Sequence, residues 1–483
     1  MATASVGAAP QTVWEGLRED WLVVSDAAVD GCEFAALVNY RRQRLEAIAI
    51  RSDKGQSDRP LLLLTETDPT KFLAGFWAAV LADWNIALAN PNWGQQEWQS
   101  VHQLIHPQAV WGTAPPFPHS SSQLPSPPKQ TSPAILVPTG GTAGHIKFAQ
   151  HTWHSLSAAV SGFCQQFAPE GAPFNACCVL PLYHVSGLMQ ALRTALSGGQ
   201  LFIFSFKQLR HSLPTIDFSA APAFISLVPT QLQRFCQDRQ ANWLGQFKAV
   251  LVGGAPCWPD LLSCATRAEI PVCLSYGMTE TAAMVTARTV GDAQGEHSGM
   301  AMPHAAIYIE RSGQRLPVGE IGQIVICSAA IAEGYYNAPS AAFALPGNFY
   351  TDDLGYLDAA GCLHITGRAS GKIISGGENV FPAEVEAAIR QTGLVSDVCV
   401  FGMPHPEWGE AIAVAYVPVS AKVSAEQLQS ALSAPVGKVD ADHVIAQISR
   451  YKHPKQWFAV DDLPRNAQGK LNRKALRQSL TAG

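Results

Sequence analysis

Short hydrophobic runs, each followed by a polar turn and then an amphipathic stretch, recur through the first half of the chain. Leu61 to Leu64 forms one such run, and the residues from about Lys71 to Asp83 have the spacing of a helix with an apolar face. The runs Ala223 to Val228 and Ala249 to Val252 also end in turns. Strand, turn and helix in this order are typical of βα units, so the pattern predicts a largely parallel sheet.

The pattern changes near Ala305. Short β-like pieces separated by Gly, Pro and Asp replace the longer apolar runs, at Ala306 to Glu310, Gly322 to Cys327 and Gly361 to Thr366. After Arg368 the pattern predicts a helix at Pro382 to Arg390 and strands at Val398 to Gly402 and Ala411 to Val417. The predicted fold class is therefore α/β. A large N-terminal domain of βα units with a β-rich subdomain would cover residues 1–368, and a small α+β C-terminal domain would cover residues 369–483.

Composition limits the classes of partner. With 483 residues and 47% hydrophobic content, the chain is long enough for two or three domains with proper cores. Its net charge of −5 provides no global basic surface, which argues against nucleic acid as a partner. The apolar stretch nearest to membrane length, Phe72 to Ala89, is interrupted by Asp83 and Asn85, so we expect no membrane span.

Targeting signals and cysteine usage indicate a compartment. Met1 to Asp20 lacks the basic and apolar blocks of a secretory signal. Eleven cysteines without a C-x-x-C pair predict free thiols in a reducing environment, so the expected location is the cytoplasm.

The proline- and serine-rich residues 113–133 predict an irregular surface connection. A homo-oligomer is compatible with these features, and nothing in the sequence decides it.

A glycine-rich segment, Thr139 to Lys147, directly follows the apolar run Ala134 to Val137. Three glycines within five residues allow the backbone to approach an anion closely, while hydroxyl groups and a lysine add donors and positive charge. The segment is not a Walker A loop, because Ile146 precedes the lysine where that motif needs glycine. A phosphate cradle and an ordinary glycine turn between two strands both fit this segment alone.

Four later segments carry side chains that suit other parts of a nucleotide. Ser275 to Glu280 places hydroxyl groups beside a carboxylate, which suits phosphate and Mg²⁺, and Tyr350 to Gly355 offers a carboxylate for ribose hydroxyls. Gly367 and Arg368 begin a glycine-rich stretch that ends at Glu386. Leu463 to Lys470 places a lysine after a flexible turn. Together with the glycine-rich segment, these features predict an ATP-dependent adenylating site.

In order and spacing, these segments resemble, along nearly the whole chain, the acyl-adenylate-forming superfamily of acyl-CoA synthetases, luciferases and peptide-synthetase adenylation domains. Gly140 to Ala149, Leu180 to Leu188 and Ser375 to Asn379 look most like the 2-succinylbenzoate–CoA ligases of menaquinone and phylloquinone synthesis. The resemblance implies a ligase that uses ATP, Mg²⁺, CoA and a small carboxylic acid to form an acyl-adenylate and then a CoA thioester. It also implies a mobile C-terminal domain.

The resemblance assigns nucleotide contacts to individual residues. Glu280 would hold Mg²⁺ and act as a catalytic residue. The set implied for ATP and AMP comprises Thr139, Gly140, Gly141, Thr142, Gly144, Lys147, Gly254, Ala255, Pro256, Tyr276, Gly277, Thr279, Asp353 and Arg368.

Further roles concern the acid and the two half-reactions. The resemblance implies that Lys470 stabilises charge during adenylation and that the C-terminal domain rotates about Ser370. His184 would gate the acyl pocket and contact the reacting centre. Ser186 and Arg193 are candidates for holding a second carboxylate of the acid. A solvated tail lysine and a helix-surface arginine are the alternatives for Lys470 and Arg193.

Several positions depart from the family pattern. Gly140, Ala143, Ile146 and Phe148 stand where the family usually has Ser or Thr, Thr, Pro and Gly, which leaves more of the phosphate contact to backbone amides. Ser370 stands where Asp or Lys is common. The lost donors keep open a nucleotide-binding regulatory protein without turnover. Another aryl- or acyl-CoA ligase remains an alternative, as does an enzyme that loads a carrier protein, although no carrier-like segment ends the chain.

Overall fold

The computed structural model of this chain describes residues 7–25, 27–52, 59–117, 132–140, 146–168, 171–218, 220–238, 240–257, 259–292, 297–375, 378–406, 408–433, 448, 450–465 and 471–481. Four predicted site residues, Gly141, Thr142, Gly144 and Lys470, lie outside these ranges. No helix within the described ranges is long and apolar enough to cross a membrane.

The βα units predicted for the first part of the chain are present. The helices there are α1 (Pro10–Glu15), α2 (Gly31–Ser52), α3 (Pro69–Leu81), α4 (Gln95–Leu104), α5 (Trp153–Phe167), α6 (Val185–Ser197), α7 (Phe206–His211), α8 (Pro229–Gln237), α9 (Ala241–Leu244) and α10 (Pro259–Arg267). The strands are β1 (Leu22–Val24), β2 (Ala27–Ala28), β3 (Leu61–Thr65), β4 (Asn85–Leu88), β5 (Ala109–Gly112), β6 (Ile135–Gly140), β7 (Ile146–His151), β8 (Asn175–Cys178), β9 (Leu201–Ile203), β10 (Ala223–Leu227), β11 (Ala249–Val252), β12 (Val272–Met278), β13 (Ala283–Ala287) and β14 (Met300–Ala301). A 3-10 helix, Thr279–Thr281, follows β12.

These strands form two mainly parallel sheets. The larger has the order β14-β13-β12-β11-β10-β8-β9-β1-β2 and is parallel from β12 to β1, with antiparallel pairs at both ends. The smaller has the order β5-β3-β4-β6-β7, in which β6 and β7 form an antiparallel hairpin. Ligands of such sheets bind beyond the carboxyl ends of the parallel strands. The predicted segments around His184, Gly254 and Thr279 follow β8, β11 and β12 at those ends.

The rest of the chain shows the predicted change from βα units to short strands and then to an α+β part. The β-rich part is an antiparallel sheet of β15 (Ala305–Arg311), β16 (Gln314–Arg315), β17 (Gly322–Ser328), β18 (Asn348–Leu357) and β19 (Leu363–Arg368), with a 3-10 helix at Ala341–Phe343. The α+β part contains β20 (Ile373–Ser375), β21 (Glu378–Val380), α11 (Pro382–Gln391), β22 (Val395–His405), β23 (Gly409–Pro418), α12 (Ala425–Ser433), a 3-10 helix at Arg450–Lys452, β24 (Gln456–Ala459) and α13 (Arg473–Thr481). The predicted fold class is confirmed.

Helices α5 and α6 lie in the middle of the N-terminal core. Helix α5 begins after Thr152, because the Thr152 side chain accepts a hydrogen bond from the Ser155 amide at 3.2 Å. Helix α6 is buried on nearly all sides, and Ser186 is its one residue that is not fully buried. A polar side chain on such a helix therefore needs a specific partner.

Some predicted boundaries are shifted. Helix α3 starts at Pro69, earlier than expected, because Asp68 caps it by accepting a hydrogen bond from the Lys71 amide at 2.8 Å. Strand β8 begins with a polar residue, Asn175. This residue interrupts the apolar pattern, but its side-chain oxygen accepts a hydrogen bond from the Gln200 amide at 2.8 Å, so it fits inside the core.

We predict that Gly277→Ala lowers the melting temperature. A Cβ atom at Gly277 would lie 1.8 Å from the Ala283 carbonyl oxygen, so β12 and β13 would have to separate. Overpacking of this kind costs about 1–3 kcal/mol. Thermal unfolding followed by circular dichroism measures the change. Gly16→Ala is the matched control, because its nearest atom would be 3.4 Å away. Equal melting temperatures for the two variants would contradict this close approach.

Candidate active site

The carboxylate of Asp353 joins three strands of the candidate site. It lies on β18 and is 7% exposed, and its Oδ2 accepts a hydrogen bond from the Tyr276 hydroxyl on β12 at 2.7 Å. Its Oδ1 accepts a hydrogen bond from Nε of Arg368 on β19 at 3.0 Å. Burial and the neighbouring Asp353 raise the pKa of Tyr276 well above its usual value, so this hydroxyl remains a donor at neutral pH. Each carboxylate oxygen has a second lone pair, which suits a sugar hydroxyl.

Glu280 begins a second chain of contacts. Its carboxylate is buried, and Oε1 accepts a hydrogen bond from the Tyr335 hydroxyl at 2.7 Å. The ammonium nitrogen of Lys147 lies 4.7 Å from the centroid of the Tyr335 ring, which is the geometry of a cation–π interaction. Since Lys147 is on β7, one aromatic ring connects the hairpin of the glycine-rich segment with the carboxylate predicted to hold a metal.

The backbone around Glu280 is tightly constrained. His151 at the end of β7 forms a hydrogen bond through Nε2 with the Thr279 carbonyl oxygen at 2.7 Å. Ala282 and Ala283, which follow the 3-10 helix, have φ angles of 52° and 80°. Residues with a Cβ atom rarely adopt such angles, and strained backbone of this kind concentrates at functional sites.

The glycine-rich segment connects β6 and β7. Thr139 pairs with Lys147 and Gly140 pairs with Ile146 across the hairpin. Gly141, Thr142 and Gly144 lie outside the described residues, so their phosphate contacts stay predictions. The residues that flank the undescribed part are therefore paired strands, and a phosphate cradle is compatible with that position.

Gly254, Ala255 and Pro256 form an exposed turn after β11. Gly254 has a φ angle of 80°, which glycine adopts without strain. The turn runs close to β12, because a Cβ atom on Gly253 would lie 2.8 Å from Oγ of Ser275. These three residues, which the resemblance assigns to ATP and AMP, thus lie beside the strand that carries Tyr276.

The predicted acid-binding residues lie at the start and along one face of α6. His184 is the N-cap residue of α6 and is buried, with its ring centroid 4.6 Å from that of Tyr183. Ser186 and Arg193 are seven residues apart, so they share one face at a separation of roughly 10 Å. Helical side chains lean towards the N-terminus, which brings the Arg193 guanidinium back towards the His184 end.

The guanidinium group of Arg193 is buried without an acidic partner. The residue is 5% exposed, its Nε has no hydrogen-bond partner, and its Cζ lies 4.1 Å from the centroid of the Phe163 ring. No ion pair links it to a carboxylate in the described part of the chain. Burial lowers its pKa to about 10, so it is still charged at neutral pH. The helix-surface alternative for Arg193 is wrong. A buried cation of this kind would strongly favour a bound anion.

The predicted hinge residue contacts the aspartate next to the ribose candidate. The Ser370 amide donates a hydrogen bond to Oδ1 of Asp352 at 3.1 Å, and its hydroxyl donates to the same carboxylate. Lys470 lies outside the described residues. On either side of that gap, Arg465 and Leu471 form an antiparallel bridge.

Residues 27–336 match the family model described as AMP-binding enzyme, and residues 384–470 match the AMP-binding enzyme C-terminal domain. The chain belongs to the AMP-binding enzyme family. A 2-succinylbenzoate–CoA ligase of Geobacillus sp. (strain WCH70) is 31% identical to it over 359 residues, which cover 71% of this chain and 68% of the relative. A protein of the same name from Bacillus velezensis is 32% identical over 351 residues, which cover 71% and 68%.

Solved structures of AMP-binding enzymes have the same fold. The o-succinylbenzoate CoA synthetase of Bacillus subtilis, in complex with its acyl-adenylate intermediate, has a TM-score of 0.77 and 24% identity over 97% of each chain. ATP-bound MatB from Rhodopseudomonas palustris has a TM-score of 0.79 and 23% identity over 99% of each chain. The domain boundary expected after residue 368 falls between the two matched regions and stays a prediction.

Three further residues of the candidate site are not among those predicted from the sequence. His151 and Tyr335 contact the Thr279 to Glu280 segment from distant parts of the chain, and no motif marks them. Gln190 lies between Ser186 and Arg193 on α6, where its Oε1 is buried without a hydrogen-bond partner. A polar residue one helical turn from each of two predicted site residues was the available signal for Gln190.

We predict that the enzyme loses stability in mild acid partly through His151. Complete burial lowers the pKa of this histidine from 6.5 to about 4, so the unfolded chain takes up a proton first. Its stabilising contribution is present above pH 6.5 and is lost progressively down to about pH 4. The total loss is roughly 3 kcal/mol. Urea unfolding at pH 7.5, 6.0 and 5.0 should show a weaker pH dependence for His151→Gln than for the wild type. Equal slopes would contradict the assignment.

Proposed function

We propose that this AMP-binding enzyme is a 2-succinylbenzoate–CoA ligase of menaquinone or phylloquinone biosynthesis. The observation that carries the acid's identity is the buried, unpaired guanidinium of Arg193, because an acid with two carboxylates can be activated at one and held at the other. The curated relatives of which this chain covers 68 to 70% bear that name. The free cysteines support a cytoplasmic location.

In the first half-reaction, an oxygen of the acid's carboxylate attacks the α-phosphorus of ATP. A C–O–P linkage forms, the bond between the α- and β-phosphates breaks, and pyrophosphate leaves. The two reactants are both negative, and at about 4 Å with an effective dielectric constant near 20 each pair of unit charges repels by roughly 4 kcal/mol. Positive charge at the junction is therefore required. We assign this role to Lys470, while Lys147 and the glycine-rich segment hold the leaving pyrophosphate.

The nucleotide is held by the contacts around Asp353. Its carboxylate accepts the ribose hydroxyls, with Arg368 keeping it oriented from β19. Tyr276 and the turn at Gly254 to Pro256 form the adenine wall, and Gly277 lets β13 approach β12 closely next to Tyr276. Thr279 holds the α-phosphate from the constrained turn after β12.

The residues present suit Mg²⁺ that arrives with ATP. No cluster of three histidine, cysteine or acidic side chains able to hold a metal occurs among the residues that the structure describes. Mg²⁺ does not need one, since it binds through one or two carboxylates together with phosphate oxygens and water. Glu280 supplies that carboxylate, and the Tyr335 hydroxyl orients it. When bound, the ion neutralises charge on the phosphates.

In the second half-reaction, the thiol of CoA attacks the acyl carbonyl carbon, a C–S bond forms and AMP leaves. The C-terminal domain, residues 369–483, turns about Ser370 between the two steps and so removes Lys470 from the site. His184 at the start of α6 lines the path to the acyl group.

We predict that the enzyme forms a CoA thioester from 2-succinylbenzoate in preference to other acids. Arg193 would bind the second carboxylate through charge-assisted hydrogen bonds. The acids 4-oxo-4-phenylbutanoate and 2-butanoylbenzoate each lack one carboxylate, so they should give kcat/KM values lower by about tenfold or more. Thioester formation and pyrophosphate release are measured together across these acids, acetate and fatty acids. A preference for acetate or a fatty acid removes this substrate and leaves the reaction class. ATP binding without pyrophosphate release would instead indicate a regulatory protein.

We predict that Lys470→Ala lowers the rate of adenylation by about 100-fold or more, because one group that stabilises charge in the transition state is lost. Thioester formation from preformed acyl-AMP should be retained. Pyrophosphate release and CoA thioester formation report the two half-reactions separately. Lys455→Ala, another lysine of the C-terminal part, is the control. Equal loss of both half-reactions in Lys470→Ala would contradict a domain that changes position between the steps.

A further inference from the structure

A second buried polar group, the His304 imidazole, lies beside Arg193 and has no role in the steps above. Both ring nitrogens are buried and neither has a hydrogen-bond partner of good distance and angle, although the backbone of Met284 is near enough to influence the pKa of the ring. The main chain of His304 is fixed, since its carbonyl oxygen accepts a hydrogen bond from the Ser328 hydroxyl at 2.6 Å. The ring is therefore held in place while its polar atoms lack partners.

Helix α5 leaves room for this ring. A Cβ atom on Gly162 would lie 1.9 Å from Nδ1 of His304, so any larger residue at that position would displace the imidazole. The next residue, Phe163, is the one whose ring lies under the Arg193 guanidinium. His304 and Arg193 thus meet at the same part of α5, and the electrostatic effect of Arg193 on the ring is consistent with this proximity.

Leaving these groups without partners is costly. A buried donor or acceptor without a hydrogen bond costs about 1–3 kcal/mol, and an unpaired buried charge costs more. An apolar ligand would not relieve either cost. A carboxylate would relieve both, because its two oxygens can accept from a guanidinium and an imidazolium at once.

The surroundings also determine the charge of the ring. Burial, and then the positive charge of Arg193 on α6, lower the pKa of His304 to about 4. From α5 the nearby titratable group is the Cys164 thiol, whose pKa is raised to about 11 by burial, so it stays neutral. From β13 the neighbour is the Met284 backbone. Without a ligand the ring is neutral at pH 7, and a carboxylate would reverse the balance in favour of the charged form.

We propose that His304 is a specificity-determining residue of the acid pocket, which takes up a proton from solvent as the substrate's second carboxylate binds and donates a hydrogen bond to it beside Arg193. The inference rests on the proposed function, since it requires an acid with two carboxylates.

The test compares two variants. His304→Leu removes the donor, so KM for 2-succinylbenzoate should rise by about tenfold or more with little change in kcat. His304→Gln keeps a neutral donor and should recover part of that affinity. In the wild type, KM should rise with pH by up to tenfold per unit between about pH 4 and the pKa of His304 in the complex. His304→Gln should lack this pH dependence, because its amide cannot be protonated.

His102→Gln is the matched control. His102 on α4 is another histidine whose pKa is lowered by burial and whose Nε2 lacks a hydrogen-bond partner, and it packs on Phe117. This variant should keep the wild-type KM and pH profile. The acids that lack one carboxylate complete the comparison: whichever of them is turned over should give the same KM with the wild type and with His304→Leu.

The inference is overturned, while the proposed function stands, if His304→Leu discriminates between the acids by KM as the wild type does. It is also overturned if the pH profile of KM is unchanged in His304→Gln. Conversely, a wild-type enzyme that does not turn over 2-succinylbenzoate fails the proposed function before any variant is compared. A rise in KM by the same factor for every acid would show that His304 is merely structural, and that result also overturns the inference.

Discussion

The site depends on a buried carboxylate that has donors on both oxygens. Asp353 is 7% exposed, and such a group is retained in a protein interior only when hydrogen bonds replace its water. Tyr276 comes from the parallel sheet and Arg368 from the edge of the antiparallel one. The same carboxylate therefore links the two sheets, and its remaining lone pairs are available to a ligand. Packing of the subdomain and recognition of the nucleotide are satisfied by one arrangement of atoms.

Local chemistry made much of this predictable. The alternation of apolar runs and turns identified the βα units, because this pattern depends on neighbours in sequence. The glycines, the Glu280 carboxylate and Asp353 were identified by a series of motifs in fixed order. The position of Glu280 follows from the topology of the larger sheet, since it comes directly after the carboxyl end of β12, where such sheets bind ligands.

Other features depend on contacts between distant segments. Tyr335 is in no helix or strand and becomes part of the site only because its hydroxyl reaches Glu280 and its ring faces Lys147. His304 is adjacent to Arg193 only because Gly162 on α5 leaves space for it. For Arg193 itself, the sequence left a surface charge and a buried ligand equally open. Burial decided between them, and burial is a property of the whole fold and not of the helix that carries the residue.

The contact between Asp352 and Ser370 has a consequence for the timing of the two half-reactions. Two hydrogen bonds secure one side of this junction, and each contributes about 1 kcal/mol. If the C-terminal domain turns about Ser370 as proposed, it has to release them, which would leave the second arrangement populated at a few per cent unless new contacts compensate. Asp353, the next residue, has its own partners on β12 and β19, so in the proposed mechanism the ribose would stay bound while the C-terminal domain moves. In this proposal the contact between Asp352 and Ser370 opens between the two half-reactions, while the neighbouring contacts of Asp353 stay closed.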